Sequence, residues 1–221
     1  MAADDEAVVR RVWRRLGGDD PTIDAVLARY REPHRRYHTV VHLARVVRDV
    51  DELLHTEPTV GDPDAVRAAA VFHDVVYDPR ASDNEARSAD LAVDRLTGLG
   101  WSAERTAHVR DLVMATAGHE TPAGSGPTGD PTEDPTAVAV LLDADLAVLG
   151  TSPAVYQAYV RGVRDEYRHV DDDGWRQGRA AVLRTFLDRP RIYRTPTMYD
   201  RAERRARANL AAELASLTNA Q

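Results

Sequence analysis

Apolar positions recur at three- and four-residue spacings along most of the chain, the helical period. Val8, Val9, Val12, Trp13 and Leu16 form a first stripe, ended by Gly17-Gly18. Pro21 opens a second helix over 21–31, with Ile23, Val26, Leu27 and Tyr30 facing inward. A third is expected over 37–55, with Val46, Val50, Leu53 and Leu54 on its apolar side. A fourth runs over 62–74, from Asp62-Pro63 to His73-Asp74. Asp78-Pro79 marks a turn before a helix over 83–99, and Ser102 caps another over 102–118. Further helices are expected at 137–149, 153–168, 172–187 and 198–217. No alternating strand pattern and no internal repeat interrupts the series. The pattern predicts an all-α, single-domain bundle of about ten helices spanning 1–221.

One stretch breaks the rhythm. Residues 120–136 are rich in Gly, Pro, Thr, Asp and Ser and nearly devoid of apolar side chains. They read as a flexible loop, either a lid or a disordered segment. A candidate ligand segment lies beyond the loop, so the loop is not taken as a domain boundary.

Composition narrows the chemistry. The 221 residues are 43% hydrophobic and 29% charged, an ordinary balance for a folded domain. No apolar stretch has the length of a membrane span, and the acidic N-terminus is unlike a signal peptide. A cytoplasmic location away from membranes is expected. There is no cysteine, which removes thiolate nucleophiles and zinc-thiolate sites. There is no lysine, so all 29 basic residues are arginine, and Schiff-base and P-loop lysines are absent. A formal charge of -7 argues against binding a long nucleic acid.

What remains for chemistry is concentrated in three places. His73-Asp74 ends the apolar run Ala68-Ala69-Ala70-Val71-Phe72 and precedes Val75-Val76. Burying an imidazole and a carboxylate without partners is costly. His38 and His42 stand four positions apart on the expected third helix and so share a face. Asp145 lies in the strongly apolar segment 137–149, where a lone carboxylate is expensive. A divalent ion held by imidazoles and carboxylates satisfies these positions together, with coordination places left for water and substrate.

The order His42 … His73-Asp74 … Asp145 resembles the signature of the HD superfamily of metal-dependent phosphohydrolases. The context Ala144-Asp145-Leu146 resembles that family's usual setting and favours Asp145 over Asp143. Segments 37–42, 72–79, 84–89, 142–150 and 206–210 together resemble a bacterial subgroup of HD phosphohydrolases. The resemblance implies an HD-type helical domain and one divalent ion, Mn, Mg, Fe, Co, Ni or Zn, on His42, His73, Asp74 and Asp145. It implies hydrolysis of a phosphoester or phosphoanhydride of a small metabolite, nucleotides included, by water activated on the ion.

Other residues take roles within that expectation. Arg35 and Arg36 precede the ligand helix and are the candidates for substrate phosphate. Glu85 is either the carboxylate that orients the attacking water or a first-turn helix residue favoured by the dipole. His38 is a partner of the ligands or a donor to substrate. His108 and His119 are eleven apart and share a face; His119 is the candidate for the pocket wall or a second metal. A non-catalytic nucleotide- or metal-binding regulatory module is the alternative, and an HD-type di-iron oxygenase would need His119 and a second ion. A homodimer is left open. Arg201, Arg204, Arg205 and Arg207, with Glu203 and Glu213, read as a salt-bridged exposed face.

Overall fold

The computed structural model describes residues 2–57, 59–118 and 134–218. Among them are ten α-helices and one short 3-10 helix, with no strand, so the fold is all-α as the periodicity requires. The chain forms two compact units, residues 1–144 and 145–221. Among the described residues no single helix is long and apolar enough to cross a membrane.

The first unit contains α1 (Ala2–Arg15), α2 (Asp20–Tyr30), α3 (Val40–Thr56), α4 (Pro63–Phe72), α5 (Asn84–Gly98), α6 (Ala103–Ala115) and nearly all of α7 (Pro135–Asp145). Its centre is α4, which packs against α1, α3, α5 and α6. The sequence of α4 explains this position. Every residue from Ala65 to Phe72 is buried, Arg67 included, and a helix buried on all sides is surrounded by others. The alanines let neighbours approach closely, while Phe72 meets the edge of Trp13 with ring centroids 5.7 Å apart.

Two capped helices start side by side. Asp62 caps α4 by accepting hydrogen bonds from the Asp64 and Ala65 N–H groups at 3.1 and 3.0 Å. It also takes a two-pronged contact from Arg105, at 2.6 and 2.9 Å, whose guanidinium lies 3.6 Å over the Trp101 ring. Asp134 caps α7 through the Thr136 and Ala137 N–H groups, and its other oxygen accepts from Gly61 N–H at 2.8 Å. The expected loop therefore ends sooner than its composition suggests, because Asp134-Pro135 is a cap followed by a first-turn proline. Residues 120–133 lie outside the described residues.

The second unit holds a 3-10 helix (Leu146–Gly150), α8 (Pro153–Glu166), α9 (Asp172–Asp188) and α10 (Pro196–Thr218). The expected helix over 137–149 is thus an α-helix that tightens into 3-10 geometry after Asp145. That short helix is fixed from within its unit. Tyr193 donates to the Leu146 carbonyl at 3.1 Å, and Asn209 donates to those of Leu149 and Thr151. A Cβ at Gly150 would stand 2.6 Å from that of Ala202, so only glycine admits α10 there.

The acidic residues of α10 differ from the exposed face expected. Glu203 is buried and accepts from the Ile192 and Tyr193 N–H groups and from Arg207. Glu213 is buried too, paired with Arg179 at 2.8 Å and hydrogen-bonded by Tyr156. Burial and the neighbouring carboxylate push the Tyr156 phenol far up, so it stays a donor. Both glutamates lie on the helix face that packs, where their partners come from segments distant in sequence.

Candidate metal centre

The His-Asp pair sits where α4 stops, with His73 as its C-terminal cap residue. The His73 ring is 1% exposed. Its Nδ1 lies 2.9 Å from the Ala70 carbonyl, which can only accept, so Nδ1 carries the proton. The neutral ring then presents its Nε2 lone pair on the other side, the arrangement in which a histidine binds metal.

Three further groups converge on that lone pair. The Nε2 of His42, from the first turn of α3, is 3.2 Å away. An oxygen of Asp74 lies 3.2 Å from His73 Nε2 and 3.4 Å from His42 Nε2. Asp145, the last residue of α7, supplies the fourth group, and one ligand atom from each residue lies within 4.8 Å of all the others. Donors about 2.1 Å from one ion would be separated by roughly 3.0–3.4 Å along the edges of a tetrahedron or octahedron. The separations among His42, His73 and Asp74 fit one cation, and a mixed nitrogen and oxygen set suits a divalent ion of the first transition row. His42, His73, Asp74 and Asp145 are the only group of this kind found among the described residues.

Helix lengths explain the convergence. The starts of α4 and α7 are tied through Gly61 and Asp134. They have 10 and 11 residues, so a rise of about 1.5 Å per residue carries both chains some 15 Å before each delivers its ligands. Asp143 is fully buried but stands outside the group.

The electrostatics are consistent with a charged carboxylate. Burial alone would raise the Asp74 pKa. With no ion bound, the His73 and His38 imidazoles in their protonated form, together with hydrogen bonds donated by the His42 and His73 rings, reverse this and hold it well below the usual carboxylate range; an ion would take the place of those protons. Behind the turn, Tyr30 donates to the Val71 carbonyl and accepts from Asp74 N–H, both at 3.3 Å. Burial pushes its phenol up to about 12, so the hydroxyl keeps its proton.

His38 reaches the centre by a route the sequence did not suggest. The third helix begins at Val40, with Thr39 extended as its cap, so His38 precedes the helix and shares no face with His42. Its Nε2 nevertheless lies 4.0 Å from Asp74, and its ring packs against those of His42 and Tyr77 at 5.5 and 4.3 Å.

Arg35 does not offer its guanidinium to a substrate. The side chain is 0% exposed and donates to the carbonyls of His38, Asp74 and Val75. Arg36 is exposed and donates to the Pro33 carbonyl at 2.7 Å. Both border an open cleft of about 340 Å³ lined by α1, the α2–α3 connection and the start of α3, which the candidate ligands do not line. Glu85 lies half-buried in the first turn of α5 and has no hydrogen bond or ion pair among the described residues. Asp78 is a turn residue, its side chain accepting from Arg80 N–H. His119 lies outside the described residues.

Comparison with protein-family models, curated proteins and solved structures finds no match for this chain.

Proposed function

We propose that this chain is a metal-dependent phosphohydrolase of the HD type, acting on a phosphoester or phosphoanhydride of a small metabolite or nucleotide. The observation that carries the reading is the set of two imidazole nitrogens and two carboxylates within 4.8 Å of one another. The ordered resemblance from His42 to Asp145 supports it.

A divalent ion there supplies an acidified water and polarises a phosphoryl oxygen. The chain's own residues do the remainder. His42, His73, Asp74 and Asp145 hold the ion, and His73 is oriented for this by Ala70. Should the ion they hold take more than four ligands, the remaining places would be open to water and substrate. His38, at the edge of the centre and 20% exposed, is placed to hold a proton for the leaving oxygen or the attacking water. Glu85 is available for orienting water, and Arg36 for phosphate.

The test is metal analysis of protein purified without added metal, followed by a phosphate-release screen with Mn, Mg, Co, Ni and Zn. One ion per chain and metal-dependent release are expected, and Asp74→Ala should lose both. Full turnover by Asp74→Ala would overturn the mechanism. One bound ion with no release from a broad panel of phosphorylated metabolites would favour the binding module instead.

A further inference from the structure

We propose that Arg35, assisted by Tyr30, is a positioning residue that clamps the backbone of the His73-Asp74 turn; this rests on the metal reading above. The end of a helix leaves carbonyls without intrahelical partners. At the end of α4 they cannot turn to water, because Val71, Phe72, His73 and Val75 are at most 1% exposed. Side chains satisfy them instead. Tyr30 takes Val71, the His73 ring takes Ala70, and Arg35 takes Asp74 at 2.8 Å and Val75 at 3.1 Å. Asp74 is gripped at its N–H by Tyr30 and at its carbonyl by Arg35. Its carboxylate is left to face the imidazoles.

The same guanidinium also donates to the His38 carbonyl at 3.1 Å. One rigid fork thus fixes the turn that carries two candidate ligands relative to the segment that leads into α3 and His42. A lysine, with a single ammonium, cannot span these acceptors. Desolvating a guanidinium is expensive. Here the cost is offset by three carbonyls, by the Tyr30 and Tyr77 rings at 4.9 and 5.4 Å, and by Glu32 at 3.6 Å from Nε. The positive charge also lies at the negative end of the α4 dipole.

Arg67 supplies the control. It is also buried and paired with Asp51 and Asp64 at 2.6 and 2.9 Å, and its side chain makes no hydrogen bond to residues 71–75. Titration calorimetry with Mn²⁺ and Ni²⁺ would compare wild type, Arg35→Lys, Arg35→Met, Tyr30→Phe and Arg67→Met, each with its circular dichroism spectrum and Tm. The Arg35 variants should keep their helical spectra and bind roughly 10–100-fold more weakly, the usual effect of losing support behind a ligand. Tyr30→Phe should weaken binding less, and Arg67→Met should lower Tm while keeping wild-type affinity. If Arg35→Met does not fold, Arg35→Lys and Tyr30→Phe carry the comparison. Wild-type affinity in Arg35→Lys would overturn the clamp and leave the metal reading standing, as would affinity losses that merely track Tm across Arg35 and Arg67 variants. A wild-type chain that binds neither ion overturns the metal reading and the clamp with it.

Discussion

His73 gives its two ring nitrogens separate tasks. Nδ1 donates back into its own helix, to Ala70, and Nε2 faces the centre. Because the first contact is local, the tautomer is set as soon as the last turn of α4 forms. His38 has a different standing. It touches Asp74 from a loop and is not one of the four converging groups. His38→Ala is therefore expected to retain a stoichiometric ion. It should lower kcat by about 10²–10⁴, the range for loss of a general acid or base. Metal analysis beside single-turnover kinetics separates the two effects; loss of the ion in this variant would make His38 a ligand.

The α4 helix carries two candidate ligands at one end and a cap at the other. Burial would raise the Asp62 pKa, but hydrogen bonds from Arg105 and from the Ala65 and Asp64 N–H groups hold it below the ordinary carboxylate value. A depressed folded pKa stabilises above the unfolded value and is lost as pH falls through the folded one. Asp62 therefore contributes at neutral pH, and its contribution fades as pH drops below about 4. Asp62→Ala should cost about 1–2 kcal/mol at pH 7, the upper range for a cap, and less in acid. Urea denaturation at pH 7 and pH 3 measures both, and an equal cost at the two values would contradict the assignment. The cap was visible in Asp62-Pro63, as was the buried character of the alanine run. The start of α3 was not. A helical stripe continues back through His38, and only the extended backbone at Thr39 ends it. Arg35 was misread for a related reason. Its carbonyl partners belong to a turn some forty residues away, and nothing local marks an arginine as buried.

At the scale of the molecule, each unit buries an arginine against acidic partners, Arg67 in the first and Arg179 in the second. The second pair is the more enclosed, with side chains 7% and 3% exposed. Glu213→Ala would strand the guanidinium and leave the Tyr156 hydroxyl without its acceptor. A loss of about 3–5 kcal/mol is expected. The double variant Arg179→Met, Glu213→Leu should recover part of it, read from thermal denaturation of all three proteins. No periodicity argument reveals such a pair, because a carboxylate in a charged helix looks solvated until its partners are known. The helices and the four residues that converge were legible because they are written in spacing and in short motifs. The contacts of Arg35 and Glu213 with distant segments, which no motif marks, were not.

The centre of the first unit bears on how this chain can change over generations. Most helices keep a face toward water, where substitutions accumulate at little cost. From Ala65 to Phe72 there is no such face. These eight consecutive positions have little freedom to drift, since an added methylene in α4 presses on a neighbouring helix and a removed one opens a void. His73 and Asp74, two of the four candidate ligands, therefore hang from a segment that admits almost no variation.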